Sequence, residues 1–353
     1  MIDAAAAMPP SHPRLAALVA RARAVAAASG GSRGLGGTGA EGGNAGDGAT
    51  RAGAPTTTIG IVYPGDALAA EAAQHIAEAG IARPVLIGPA EVVRRACASA
   101  GVDADRFEIV DVAETEPAAS AARAVALARE GHLAVLMKGS LHTDELMSAI
   151  VKRHTGLRSD HARISHAFLF DLPRYPKLLA LADCVVNIAP DLRTKQDIVG
   201  NAVALLQRLG IAEPKVGIVA ATEVVNPAIP ATIDAQALVQ MSREQGAWPG
   251  AVVEGPFGFD NAISAEAARI KKIESRVAGD ADLLVLPDLN AANILYKSFV
   301  YIGGGDCAGL VLGAKVPIVL TSRADSLRSR VASVALAVLS VAGERGGVSI
   351  GNG

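Results

Sequence analysis

From residue 57 onward the chain alternates short apolar runs with alanine-rich segments of helical spacing. Residues 59–63 read as a strand and 67–79 as a helix stopped by Gly80. Then come a strand at 84–87, a helix at 91–100, a strand at 107–110, a helix at 118–130 and a strand at 133–137. Lys138 and Gly139 follow, with a further helix from Asp144. Such alternation predicts largely parallel strands covered by helices. The pattern resumes after His166, with strands expected at 167–170, 184–188, 217–220, 251–254, 283–286 and 316–320. Helices are expected at 194–209, 265–277 and 327–341. Half of the 353 residues are apolar but only 3% are aromatic. A core of small aliphatic side chains suits helices laid on a parallel sheet.

The ends behave differently. Residues 13–28 read as an alanine-rich helix, and 30–55 as a glycine-rich flexible segment too poor in apolar residues to order itself. Its glycines lack the preceding strand and following helix that a dinucleotide-binding fingerprint needs. The net charge of −2 gives no general attraction to nucleic acid. No run approaches the roughly 20 apolar residues of a membrane span, and no secretory signal opens the chain, so a cytoplasmic protein is expected. Cys97, Cys184 and Cys307 are odd in number and widely spaced, which fits neither a disulfide framework nor a metal site. His132, His142, His154, His161 and His166 lack HExxH spacing and read as surface or supporting histidines.

Polar residues gather where strands give way to helices. Lys138, Gly139, Ser140, His142 and Thr143 follow one strand, with Thr143 the expected N-cap; the stretch reads equally as a glycine turn before a capped helix or as a ligand loop. Gly255–Asp260 follows another strand, its two phenylalanines suited to packing. Asn290, Asn293 and Lys297 share one helix face. Ser322, Arg323 and Asp325 lie just past the last strand, where a hydroxyl, a bidentate guanidinium and a helix N-terminus suit an anion. Asp325 or Ser326 would cap the helix that follows. Ligands of open α/β sheets lie outside the carboxyl ends of the strands, which is where these residues fall.

Several of these stretches together resemble the phosphate acetyl/butyryltransferase family. Its PDLNAxNIxYK motif stands here at Pro287–Lys297, its Ser-Arg pair at Ser322 and Arg323, and its GP(L/F)xFDxAI segment at Gly255–Ile263. Leu136–Met147 is similar to its first-domain loop, and the likeness spans about residues 59–342. The resemblance implies two α/β/α domains with largely parallel sheets and a cleft between them, in the manner of isocitrate and isopropylmalate dehydrogenases. Residues 56–160 with 311–353 would form the first domain and 161–310 the second, leaving 1–55 outside both. It implies reversible transfer of a short acyl group, acetyl first and butyryl as the alternative, between CoA and inorganic phosphate. Transfer would be direct, with acyl-CoA, phosphate and acyl phosphate as partners, CoA as substrate rather than bound cofactor, no metal, and a homodimer. Lys297 matches a lysine that contacts CoA, Arg323 an arginine at the phosphate and acyl group, and Ser322 a serine near the thioester. Lys138, Gly139, His142, Thr143, Asn290 and Asn293 fall in the matching binding segments.

Three positions depart from the acetyltransferase pattern. Ser329 stands where a candidate base, an Asp, is found; Asp325 would substitute, or an electropositive pocket would lower the thiol pKa without a base. Tyr301 and Ala149 stand where arginines are found, with Arg153, Arg158 and Arg163 nearby to supply charge. These departures resemble the butyryltransferase-like branch or the acetyltransferases fused to hydratase-like modules, and they motivate a different class of reading, a catalytically silent CoA-binding module. A metal-dependent dehydrogenase would need a carboxylate cluster and a nucleotide loop, and neither is present in the sequence.

Overall fold

The alternation read from residue 57 folds into parallel strands joined by helices. The computed structural model describes residues 12–31, 57–159, 163–320 and 325–344. The glycine-rich stretch therefore lies almost wholly outside the described residues. The chain divides into two units, Leu18–Leu157 with Thr321–Val341, and Arg158–Leu320 with Met1–Ala17 and Ala342–Gly353. The first is called the split unit and the second the central unit.

The chain opens with helix α1 (Pro13–Gly31). The split unit then follows as β1 (Thr58–Val62), α2 (Ala67–Glu78), β2 (Arg83–Gly88), α3 (Ala90–Ser99), β3 (Glu108–Asp111), α4 (Pro117–Arg129), β4 (Val135–Lys138) and α5 (Thr143–Val151). Its strands run in the order β3-β2-β1-β4, all parallel. Every residue of β4 is buried, as expected of a parallel strand covered on both faces. Ala69, Ala70, Ala72, Ala73 and Ile76 form the buried side of α2, and their small side chains let the helix lie close to the sheet. The Asp66 carboxylate caps α2 by accepting the Ala69 N–H at 2.9 Å. Leu18, Ala22 and Ala26 of α1 are buried at four-residue spacing, and Arg23 donates to the Ala79 carbonyl at 2.7 Å.

The central unit contains β5 (Ser165–Asp171), β6 (Leu179–Ala182), α6 (Leu192–Arg208), β7 (Lys215–Val219), α7 (Pro230–Gln245), β8 (Val252–Phe257), α8 (Phe259–Ile263), α9 (Ala265–Ile270), β9 (Leu283–Val285), α10 (Leu289–Tyr301), β10 (Asp306–Leu312) and β11 (Ile318–Val319). The last helix, α11 (Leu327–Glu344), belongs to the split unit up to Val341. The central strand order is β11-β10-β5-β6-β9-β7-β8. Pairing is parallel from β6 to β8 and antiparallel among β11, β10, β5 and β6. Five of the chain's six phenylalanines lie in this unit. Phe168 stacks on Tyr296 at 4.4 Å, and Phe170 meets Phe299 edge-on at 5.1 Å, seating α10 on β5. Each buried aromatic contributes on the order of 1.5–3 kcal/mol. The first turn of α1 is held in this unit by the buried Asp171 carboxylate, which accepts the N–H groups of Arg14 at 2.8 Å and Leu15 at 3.2 Å and pairs with the Arg14 guanidinium at 2.7 Å.

The α/β class holds, with corrections in detail. The apolar run 184–188, expected as a strand, is a turn, and the strand lies before it as β6. The helix expected over 265–277 stops at Ile270, where Lys272 takes a left-handed conformation (φ 54°) and the N–H groups of Lys272 and Ile273 donate back to the carbonyls of Arg269 and Ala268, closing the helix. The strand β10 and helix α7 were not expected. β10 pairs with β5 over seven residues, so residues 311–320 stay with the central unit rather than the split one. His166, expected at the surface or in a supporting role, is fully buried in β5.

Candidate active site

The motif at Pro287–Lys297 is a strand-to-helix junction at the carboxyl end of β9. Asp288 caps α10, its side chain accepting the Ala291 N–H at 3.0 Å, so the cap does not need Asn290. Asn290 and Lys297 are exposed on the helix, and Asn293 is half-buried between them. The Asn293 amide donates to the Cys184 carbonyl at 3.3 Å, and the Leu289 N–H donates to the Ile188 carbonyl at 3.0 Å. Both bonds tie α10 to the turn that follows β6.

That turn is organised by Asp183, which is 3% exposed. Its carboxylate accepts the N–H groups of Val185 (2.9 Å), Val186 (3.0 Å) and Asn187 (3.3 Å) and the Asn187 side-chain amide (2.6 Å). Burial pushes the Asp183 carboxyl above its ordinary range, while these donors and the His166 backbone N–H pull it back. Val185 and Val186 look strand-forming in sequence. A single carboxylate that gathers their N–H groups makes them a turn instead.

In the split unit, the loop after β4 interlocks with the loop after β1. The Gly139 N–H donates to the Val62 carbonyl at 2.9 Å. The Ser140 N–H and hydroxyl both donate to the Tyr63 carbonyl, at 2.9 and 2.8 Å, and the Ser140 oxygen accepts the Gly65 N–H at 2.7 Å. A Cβ on residue 139 would lie 2.4 Å from the Val62 oxygen and 2.6 Å from that of Tyr63, so only glycine fits. Gly139→Ala is expected to cost about 1–3 kcal/mol of stability, as overpacking against backbone does. Urea unfolding measures it, and an unchanged midpoint would remove this requirement.

Lys138 ends β4 and is buried; its ammonium donates to the carbonyls of Gly139 and Leu141, both at 3.2 Å, bracing the loop. The N-cap of α5 is His142, not Thr143: the His142 N–H is accepted by the Glu145 carboxylate at 2.7 Å, and Thr143 is the first helical residue. His142 and Thr143 are exposed.

Ser322 and Arg323 lie outside the described residues. Asp325 and Ser326 begin the described turn into α11. The Ser326 hydroxyl accepts the Ser329 N–H at 3.0 Å, so Ser326 supplies a capping oxygen. Ser329, where the family pattern has an acid, is buried within α11 and its carbonyl accepts the Ser333 hydroxyl at 2.8 Å. Ala149 is likewise buried, in α5, and Tyr301 is exposed at the end of α10. Of the arginines expected to supply charge, Arg153 and Arg158 are exposed, whereas Arg163 donates to the Thr194 hydroxyl and lies 3.8 Å from Asp197. Sequence reasoning passed over Asp183 and the buried Arg330 of α11. Asp183 is a lone charge in an apolar run, which was the available signal; Arg330 follows Arg328 and Ser329, and nothing in the sequence sets it apart.

Among the described residues no three His, Cys, Asp or Glu side chains gather as metal ligands would, and no helix is long and apolar enough to cross a membrane.

Lys138 ends a parallel strand of the split unit, and Asn290, Asn293 and Lys297 lie on the helix that follows a parallel strand of the central unit, the position at which α/β folds hold their ligands. The family model for phosphate acetyl/butaryl transferase matches residues 117–338, and the chain belongs to that family. It is 50% identical over 297 residues to the phosphate acetyltransferase of Rhizobium meliloti, covering 84% of this chain and 92% of that one. It is 36% identical over 285 residues to the phosphate butyryltransferase of Clostridium beijerinckii, covering 81% and 93%. The branched-chain phosphotransacylase of Enterococcus faecalis V583 superposes with a TM-score of 0.72 at 30% identity, covering 81% of this chain and 99% of that structure.

Proposed function

We propose that this chain is a phosphate acyltransferase that moves a short acyl group, acetyl first, directly between CoA and inorganic phosphate. One observation carries the reading: the Pro287–Lys297 motif forms a capped strand-to-helix junction in a chain half identical to a phosphate acetyltransferase over nearly its whole length. A phosphate oxygen attacks the thioester carbonyl carbon, the C–S bond breaks, and CoA leaves as thiolate and is protonated. Lys297, Asn290 and Asn293 hold CoA; Asn293, through Cys184, also keeps α10 in register with the Asp183 turn. Arg323 binds phosphate and offsets charge developing on the carbonyl oxygen, and Ser322 hydrogen-bonds beside the reacting sulfur. Lys138, Gly139, His142 and Thr143 form an anion-facing loop whose shape is fixed by the bonds to Tyr63 and Val62. Asp325 is the base for the CoA thiol, whose pKa near 8.5 asks only a modest push at neutral pH. Such a mechanism needs proximity, orientation and charge stabilisation rather than a covalent intermediate. The reading includes a cytoplasmic homodimer, for which light scattering would give twice the chain mass.

Butyryl transfer is the second reading, favoured by the butyryltransferase-like departures at Ser329, Tyr301 and Ala149. A panel of acyl-CoAs assayed for phosphate-dependent thioester loss is expected to give acetyl-CoA the highest kcat/KM. A higher value for butyryl-CoA would move the assignment to the second reading. Binding of CoA without turnover of any acyl-CoA would leave a silent module.

A further inference from the structure

Arg330 is 4% exposed, an unusual setting for an arginine. It lies one turn into α11, eight residues beyond Ser322. Side chains on a helix point back toward its N-terminus. Arg330 does so, and its Nε–H donates to the main-chain oxygen of Asp325 at 3.4 Å. Its own N–H donates to the Ser326 carbonyl at 3.1 Å. Two carboxylates, those of Asp325 and Asp66, act on the guanidinium by charge and oppose the effect of its burial. Asp66 is fixed as the cap of α2. Asp325 is the one that occupies the turn Arg330 grips and neighbours the Ser322–Arg323 pair in sequence.

We propose that Arg330 is a positioning residue for Asp325, gripping the turn by its main-chain oxygen so that the Asp325 carboxylate is held toward the CoA thiol as its base. This rests on the reading of the chain as a phosphate acyltransferase. In the direction that consumes acyl phosphate, the Asp325 carboxylate takes the thiol proton and the sulfur attacks the acyl carbon. The bond from that carbon to the phosphate oxygen breaks, the departing phosphate keeps the electron pair, and the proton passes from Asp325 to it. The family's acid at the Ser329 position is absent here, and the buried cation one residue on gives the nearer aspartate its support.

The test is a double-mutant cycle with full-length wild type, Asp325→Asn, Arg330→Met and the double variant, measured for kcat and KM in both directions. Each single change is expected to lower kcat by about 10²-fold or more, the lower end of what a positioned general base contributes, with both KM values within about twofold. The double variant is expected to be no slower than the slower single one, because both substitutions remove the same function. Arg330→Lys keeps the charge and loses the planar fork. It is expected to recover part of kcat, and it carries the same cycle with Asp325→Asn if Arg330→Met does not fold. Effects that multiply, or an unchanged kcat in Arg330→Met, would overturn the proposal alone in an active wild type. A wild type inactive with every acyl-CoA would overturn the functional reading and this proposal with it.

Discussion

Arg323→Ala should lower phosphate-dependent loss of acetyl-CoA thioester by about 10²–10³-fold in kcat, the scale of removing one preorganised donor from a developing oxyanion. The argument is electrostatic. Attack of a phosphate on a thioester brings a polyanion to a carbonyl whose oxygen is gaining charge. A fixed cation there stabilises the transition state more than the ground state, and only that difference accelerates the step. Arg323 is the cation of the Ser-Arg pair, placed in sequence between β11 and α11. Arginine suits the position because its fork meets phosphate oxygens two at a time. Arg323→Lys keeps the charge and loses the fork, so it should fall between wild type and Arg323→Ala. Thermal melts run on the same samples separate lost chemistry from lost fold. Wild-type kcat in Arg323→Ala would remove the residue from the reaction and leave Ser322 without its partner.

Much of this fold is legible in the sequence, because its elements are short and their periods clean. The strands β1, β2 and β4 and the helices between them emerge from apolar runs and glycine stops within one or two residues of where they lie. Legibility fails where one side chain redirects the backbone. Asp183 turns a valine-rich run into a loop by accepting several N–H groups, and no propensity scale carries that information. The run after α9 ends on a left-handed Lys272, a conformation that a lysine rarely adopts and that no periodicity announces. The cap at α5 shifted by one residue because Glu145 reaches back to the His142 N–H, a reciprocal bond that outweighs the better capping chemistry of Thr143. The candidate residues themselves were found through motif wording. What the structure adds is their support: Cys184 behind Asn293, Val62 and Tyr63 behind Gly139, and the turn beneath Arg330.

The central unit should lose stability steeply as pH falls below about 6.5, and His166 is the reason. The ring is fully buried beside Phe168, centroids 4.4 Å apart, and among the described residues neither nitrogen has a hydrogen-bond partner. Burial without a compensating charge holds its pKa at about 3, against 6.5 for an ordinary histidine. The sign follows from proton binding. Between pH 6.5 and about 3 the unfolded chain binds a proton at this residue that the folded chain refuses, so the stability is full above 6.5 and is lost as pH falls. The slope is about 1.4 kcal/mol per pH unit, so roughly 2 kcal/mol goes between pH 6.5 and 5, above the range in which most carboxylates titrate. Asp183 opposes it: a carboxyl raised by burial takes up its proton more readily in the folded state, which offsets part of the loss. Comparing wild type with His166→Leu isolates the histidine, since leucine is close in size, bonds to nothing and leaves Asp183 in place. Urea unfolding at pH 7.5, 6.5, 5.5 and 5 should give a falling series for wild type and a flatter one for the variant. At pH 7.5 the variant should be no less stable by more than about 1 kcal/mol, because the substitution removes two buried nitrogens that bond to nothing. Parallel slopes in the two proteins would mean that water or a neighbouring group satisfies the ring and that the acid sensitivity lies elsewhere.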